Sequence, residues 1–475
     1  MPRALRTMHG FIDTSGALVT AQGPAATRIR DLALATPDGS RPRQPLASPD
    51  LNLAFDAPSR VLMVAYHFPP LAGSSGIQRT LRFAQQLPRH GWQPAVLSAD
   101  ARAYERTSDD LMHELPPAMP VTRAFALDAA RQLTIKGRYM AWTARPDRWV
   151  SWRFDGVRQG LRMVKALHPR VIWSTYPIAT AHLIGRALHR RTGLPWVADF
   201  RDPMAQDGYP ADPATWRAYR DIEQAAMQEA ACCVFTTPGA ARVYRERYPG
   251  AKARIEIIEN GYDEESFADL PAPAVDLTGP LVLLHSGIVY PSERDPTALM
   301  CGLALLRSRH GITPGQLRVR FRAAVHDDLL RGLAKAQGVD DFIDIAPAIA
   351  YREALAEMTS VGALLVLQAS NCNEQVPAKL YEYLRAGRPL VGFTDPAGDT
   401  AAVMRHAGVP YMAPLDDAAV IAAQLWRLVC ESRQGLAAVP QAAVVAAASR
   451  QARTQALAAL LDALAGPPTP ASTHT

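Results

Sequence analysis

The sequence predicts an α/β protein of two domains, each built on a parallel sheet, that face each other across a cleft. Three observations predict it. At 475 residues the chain exceeds what one ordinary hydrophobic core organises. Short apolar runs suited to buried parallel strands alternate with stretches of helical spacing, in two successive series. Between the series, residues 267–280 hold Pro271, Pro273, Gly279 and Pro280, a composition suited to a hinge linker.

Composition narrows the class. With 48% hydrophobic and 20% charged residues the proportions are globular. No apolar run reaches the roughly 18 residues of a membrane-spanning helix, and the N-terminus lacks the apolar core of a secretory signal, so the chain reads as cytoplasmic. Five cysteines without a CxxC pair read as reduced, buried thiols. The net charge of +6 is scattered over arginines rather than gathered in a basic run. It suits an anionic small ligand or an acidic lipid surface about as well as nucleic acid, so charge discriminates little among them; no nucleic-acid partner is assigned.

Residues 1–58 follow neither period, and 36–59 are crowded with Pro, Ser, Asp and Gly, so 1–58 is read as a weakly ordered extension. The first domain, 59–266, opens with the apolar run Arg60 to Tyr66. That run leads into a turn containing Gly73 and Gly76, after which Leu81, Phe83, Ala84 and Leu87 recur at helical spacing. A strand, a Gly-rich turn and a helix N-terminus suit a phosphate, because glycine admits the ligand to the backbone and the first helical N–H groups face an anion. Equally, tight βα turns use glycine for steric reasons alone.

Further strands are predicted at 171–175, 195–200, 232–237 and 254–259, with a helix over 179–190. Ligands of parallel sheets lie beyond the strands' carboxyl ends, which sets the acids of Asp199-Phe200-Arg201-Asp202-Pro203 at the ligand edge. The alternative there is an Asx turn with a local Asp/Arg pair. Asn260-Gly261-Tyr262-Asp263 is a strand-end turn near the domain junction. Trp142, Arg145, Arg148, Trp149, Trp152 and Arg153 crowd residues 140–162, either as a face at lipid-headgroup level or as the core of a helix packed on the sheet.

The second domain, 281–430, begins with Leu281 to Ser286 and Gly287, followed by Arg294-Asp295-Pro296 and a helix. Strands follow at 317–325, 363–367 and 390–393. Between the last two, Pro377, Gly387 and Pro389 bracket one short helix. At about 100° per residue, Leu380, Tyr383 and Leu384 share its buried flank, with Lys379 and Glu382 at the border. Glu374 lies just before it. Two carboxylates with seven residues between them can reach different parts of one elongated ligand. The alternative is a surface i,i+3 pair and an unrelated loop acid. Residues 417–430 and roughly 441–465 read as helical, 431–465 as a C-terminal helical segment and 466–475 as a disordered tail. No zinc-ligand spacing, Gly-x-Ser-x-Gly elbow or Walker motif occurs, so the chemistry falls to anion binding and carboxylates.

From about residue 60 to about residue 430 the chain resembles the retaining GT-B glycosyltransferases of glycosyltransferase family four, in particular the branch that builds bacterial exopolysaccharides. The resemblance rests, in order, on Phe68-Pro69-Pro70 with Gly73 and Arg79, on Asp199-Phe200-Arg201-Asp202-Pro203, on Asn260-Gly261-Tyr262-Asp263, on Gly287 with Arg294-Asp295-Pro296, and on Glu374 to Glu382 with Lys379 and Pro389. It implies the GT-B architecture of two Rossmann-like domains. It also implies hexosyl transfer from a nucleotide-sugar donor to a glycan or lipid-linked acceptor, with retention and with neither cofactor nor metal.

By the resemblance, Glu382 would hold the donor ribose, and Glu374 would contact the donor sugar or the reacting centre. Gly73 and Gly287 would lie against the diphosphate, Arg294 would bind it, and Lys379 would join the donor site. Glu374 and Asp199 are the catalytic candidates. Arg145, Arg148 and Trp149 form a candidate acceptor or membrane face, implying work at the inner face of the plasma membrane. Two departures stand out: Ile288 replaces a frequent Arg, and Ala198 replaces a frequent His whose work Asp199 or another group would take over. They keep open the alternative of a non-catalytic nucleotide-sugar-binding scaffold or sensor in a polysaccharide-assembly complex.

Overall fold

The computed structural model describes residues 59–466 apart from 75, 135, 137 and 272–278. The extension 1–58, the centre of the hinge linker and the tail after Gly466 lie outside the described residues. Seven strands form the first sheet: β1 (Ser59–Val64), β2 (Trp92–Ala99), β3 (Val121–Ala124), β4 (Val171–Thr175), β5 (Trp196–Arg201), β6 (Cys232–Phe235) and β7 (Arg254–Ile257). Six form the second: β8 (Leu281–Ser286), β9 (Leu317–Arg322), β10 (Ile343–Ala346), β11 (Ala363–Gln368), β12 (Leu390–Thr394) and β13 (Tyr411–Ala413). Every pairing is parallel.

The strand orders are β3-β2-β1-β4-β5-β6-β7 and β10-β9-β8-β11-β12-β13. Helices cover both faces of such sheets, which is why β4 and β11 are buried along their whole length and read as continuous apolar runs. In each sheet the order reverses beside the opening strand, between β1 and β4 and between β8 and β11. Adjacent strand ends there send their loops to opposite sides and leave a crevice, the place where a doubly wound sheet takes its ligand.

The chain crosses between the domains twice, and the crossings are stitched together. Tyr262 N–H donates to Ala448 O (3.3 Å) and Arg450 N–H to Tyr262 O (2.8 Å). Gly261 is required at this crossing, since a Cβ there would stand 2.6 Å from Ala448 O. The expected helical segment 431–465 is thereby divided. The helix Ala418–Arg433 completes the second domain, Ala442–Ala447 is a short link, and Ser449 caps a new helix, Arg450–Ala465, by accepting from Ala452 N–H (3.2 Å).

This last helix returns to the first domain. Leu457 and Leu461 join the core that holds Trp92, Trp173 and Trp196, while Trp92 Nε1 donates to Asp462 (2.8 Å) and Thr454 to Gln86 (2.9 Å). No helix among the described residues is long and apolar enough to cross a membrane.

Candidate active site

In the second domain the crevice between β8 and β11 gathers charge. The helix Ala378–Ala386 runs from N-cap Pro377 to Gly387, whose φ of +67° suits a glycine ending. It buries Leu380, Tyr381, Tyr383 and Leu384 and leaves Lys379 and Glu382 half-buried at the border. The buried Tyr383 hydroxyl accepts from Ser286 N–H (2.8 Å), which fixes the helix to the end of β8. Lys379 Nζ then donates to Ser286 O (2.5 Å) and lies over Gly287, where a Cβ would approach it to 2.6 Å.

Arg294 reaches the same strand end, donating Nη1 to Ile288 O (2.6 Å) with its guanidinium 5.0 Å from the Tyr290 ring centroid. Burial, and then the charge of Arg294, hold the Lys379 ammonium well below its ordinary pKa. Two basic side chains pressed together on one backbone turn are unfavourable as two charges, and an anion bound beside them relieves this. The Ile288 side chain is buried, and its carbonyl is what Arg294 holds.

Glu382 accepts from the Tyr351 hydroxyl (2.7 Å). Burial raises its pKa against the opposing pull of that bond, Arg450 and Lys379. Arg450, on the returning helix, is itself pushed down to about 10 by burial. Glu374 is also half-buried, and among the described residues its carboxylate makes no hydrogen bond or ion pair. Its loop is fixed instead through the backbone: Gln368 Nε2 donates to Cys372 O (2.7 Å) and Gln375 O (2.9 Å), and Thr400 to Gln375 O (3.1 Å).

The first domain supplies the opposite wall from the loops after β1 and β5. Gly73 adopts φ +77° and has open space where a Cβ would be, so nothing fills the volume beside it. Gly76 is the close-approach glycine, because a Cβ there would lie 2.3 Å from His67 Nδ1 and 2.9 Å from Arg201 Nη1. His67 shares a hydrogen with Ser74 Oγ (2.8 Å), and burial followed by the Arg201 charge lowers its pKa to about 3. It is a neutral imidazole at the crevice.

Asp199, expected as a catalytic candidate, lies beneath the crevice. Its carboxylate is wholly buried and fully engaged, receiving Arg79 Nε (3.0 Å) and Nη2 (2.8 Å) and the Thr175 hydroxyl (2.7 Å). Arg79 also donates to the carbonyls of Ile258 (2.9 Å) and Glu259 (3.1 Å), so the pair braces β5 to the end of β7 beneath the cleft. Asp202 of the same motif is half-buried at the crevice, with its pKa raised by burial. The β-bulge between Asp199 and Arg201, and the left-handed Arg201 at φ +64°, turn the chain so that Asp202 emerges. Burial, and next the Glu293 charge, push the Cys372 thiol up to about 12, with smaller pushes from Glu374 in its own domain and Asp202 in the other.

Residues 75–261 match the sequence profile of the glycosyl transferase 4-like domain. No protein of curated function matches the chain. Among solved structures, Anabaena HepE in complex with UDP superposes with a TM-score of 0.60 at 13% identity, over 85% of this chain and 100% of that one. Sucrose-phosphate synthase from Thermosynechococcus elongatus gives 0.55 at 13%, over 86% and 96%. The fold is GT-B. A putative UDP-N-acetylglucosamine 2-epimerase from Listeria monocytogenes also superposes, with 0.52 at 10%, over 85% and 96%. At these identities the GT-B likeness is one of architecture, and any chemistry is carried by the residues.

In this GT-B chain Arg145, Arg148 and Trp149, expected as an acceptor or membrane face, are tied to neighbouring side chains and backbone. Arg148 forms ion pairs with Asp128 and with Glu105 (2.7 Å), and Arg145 lies 3.3 Å from Asp212. Trp149 packs on Tyr66, ring centroids 4.7 Å apart, and donates Nε1 to Ala103 O (3.1 Å). Trp152 is wholly buried. The exposed apolar side chains of this region are Tyr139, Met140, Trp142 and Phe154, the last two 69% and 79% exposed. His67, Tyr351 and Arg450 were not foreseen as site residues. His67 could have been found as the first polar side chain past β1, whereas Tyr351 and Arg450 carry no local signal and reach the site only through packing.

Proposed function

We propose that this protein is a retaining glycosyltransferase of the hexosyl-transferring kind, moving a sugar from a nucleotide-sugar donor to a glycan or lipid-linked acceptor in bacterial surface or exopolysaccharide synthesis. The observation that carries the reading is the cluster at the end of β8, where Lys379 and Arg294 converge on the Ser286–Ile288 backbone with Glu382 and Glu374 on the same loop and helix. Glycosyl transfer breaks the bond from the sugar's anomeric carbon to the diphosphate and joins that carbon to an acceptor oxygen. Negative charge grows on the diphosphate and positive charge on the sugar.

In this reading Lys379 and Arg294 take the diphosphate against Gly287. Glu382 accepts from the ribose hydroxyls, for which a carboxylate is a natural bidentate partner, and Glu374, whose carboxylate is unbonded among the described residues, faces the sugar. His67 and Asp202 line the acceptor side. The glycosyl transferase 4-like match of residues 75–261 and the UDP bound by HepE support a nucleotide-sugar donor. The reaction as proposed uses no metal or cofactor, so activity persists in EDTA. Contact with anionic membrane is proposed through Met140, Trp142 and Phe154, with the exposed Lys136, Arg138 and Arg153 beside them in sequence.

A thermal-shift screen of UDP-, GDP-, ADP- and CMP-sugars identifies the donor, because specific binding raises the melting temperature by mass action. NMR of the product then reads the anomer. Glu374→Gln is expected to lower turnover more than donor affinity. A protein stabilised by none of these nucleotide sugars would refute the reading, and an inverted product would refute retention.

A further inference from the structure

The loop that carries Glu374 is held from two sides, and one of them belongs to the other domain. Within its own domain, Asp399 N–H donates to Asn373 O (2.9 Å), and Gln368 and Thr400 hold Gln375. The carbonyl of Glu374 itself accepts from the hydroxyl of Thr237 in the first domain (2.6 Å). Two residues further on, Gly239 N–H donates to Asp399 Oδ2 (2.7 Å). Thr237 and Asp399 are 1% and 8% exposed, so the junction is dry. Gly239 is required by the closeness of the surfaces: a Cβ there would stand 2.4 Å from Asp399 Oδ2 and 3.2 Å from Glu374 Cα.

The hydroxyl of Thr237 is directed by its local role. Thr237 is the N-cap of the helix Pro238–Arg247 and accepts from Ala240 N–H (3.1 Å). A hydroxyl has one proton, and with an oxygen lone pair committed to the cap that proton goes to Glu374 O. The Asp399 carboxylate meanwhile meets the free N–H groups and positive end of the same helix. One helix start thus provides both a donor to the Glu374 loop and a docking point for the residue that anchors the loop's other end.

We propose that Thr237 and Gly239 are positioning residues, through which the acceptor-side domain sets the backbone of Glu374, so that this carboxylate takes its working place only while the domains are in contact at this junction. The inference rests on the transferase reading for its effect on turnover, but the coupling itself is structural and can be read without activity. It makes closure of the cleft a condition for the donor-side carboxylate, with nucleotide binding left to Lys379, Arg294 and Glu382 within the second domain.

Three variants of the full chain test it. Thr237→Ser keeps both bonds and is expected to retain wild-type turnover. Thr237→Asp keeps a good helix cap but turns a carboxylate without a proton toward the Glu374 carbonyl, and turnover is expected to fall about tenfold or more, the scale of one lost hydrogen bond, at an unchanged dissociation constant for the nucleotide. Gly239→Ala, which inserts a methyl group into the junction, is expected to behave like the Asp variant. Hydrogen exchange of residues 369–377 should be faster in the Asp and Ala variants and unchanged in the Ser variant. Wild-type exchange in this loop for Thr237→Asp and Gly239→Ala would overturn the coupling, whatever the activity. If Glu374→Gln leaves turnover intact, the catalytic reading of Glu374 falls while the exchange measurement still decides the coupling.

Discussion

Replacing Glu382 gives the most direct access to the donor site, because function and stability should move in opposite directions. Among the described residues the Glu382 carboxylate accepts one hydrogen bond, from Tyr351 (2.7 Å), which leaves its second oxygen for a ribose hydroxyl. A hydrogen bond to a charged group contributes about 1.5–3 kcal/mol, so Glu382→Ala should weaken nucleotide-sugar binding by roughly 10- to 150-fold, measured by calorimetry against the donor found in the thermal-shift screen.

The carboxylate's folded pKa lies above its unfolded one because burial disfavours the charge. The folded state therefore binds more protons than the unfolded state between the two values, and stability falls as pH rises through that window. Glu382→Gln removes this loss, so at pH 7 the Gln variant should melt at or above the wild-type temperature while binding donor less well. Wild-type affinity should also decline as pH drops through the raised Glu382 pKa, and the Gln variant should show no such decline. A folded Ala variant with wild-type donor affinity would refute the placement of Glu382 on the donor.

Four further outcomes are expected. Lys379 is held well below its ordinary pKa by burial and Arg294, so an arriving diphosphate should raise that pKa; across a pH series, calorimetry in buffers of different ionisation heat should show proton uptake, lost in Lys379→Met, and a buffer-independent enthalpy at every pH would count against the site. Gly287→Ala places a side chain at φ +112° and 2.6 Å from Lys379 Nζ, which should cost about 1–3 kcal/mol of stability by urea unfolding and weaken donor binding; a neutral variant would contradict the close approach. Arg294→Lys cannot hold Ile288 O and a phosphate in one planar fork, so nucleotide affinity should fall about tenfold by calorimetry, and equal affinity would assign Arg294 to the β8 turn alone. Anionic liposomes should sediment the protein at low salt, and Trp142→Ser with Phe154→Ser should reduce this while Arg145→Gln should not; equal binding by the double variant would remove the proposed face.

The sequence by itself determined the elements and the edge of the sheet at which to look. Period and apolar runs are local quantities, so β1, β4, β8 and β11, the Gly-rich turn and the short helix after Glu374 were all legible. With a parallel sheet they place any ligand beyond the strand ends. Runs such as β10, four half-buried residues, and β13, three residues, are too short to show a period, and they went unread. Which side chains face the ligand was decided only by tertiary structure. Asp199 and Asp202 look alike in sequence, but Arg79 arrives from 120 residues away to neutralise the first, and a bulge delivers the second to the cleft. Arg148 reads as a free cation until Asp128 is folded against it. Periodicity shows that the helix Arg450–Ala465 buries a face without saying whose core receives it, and the answer, the first domain, also brings Arg450 toward Glu382. The Thr237 bond to Glu374 spans 137 residues and two domains. Burial patterns report that a face is covered, and the partner that covers it is set by how the chain packs, because charge and hydrogen-bond pairing depend on distance in space.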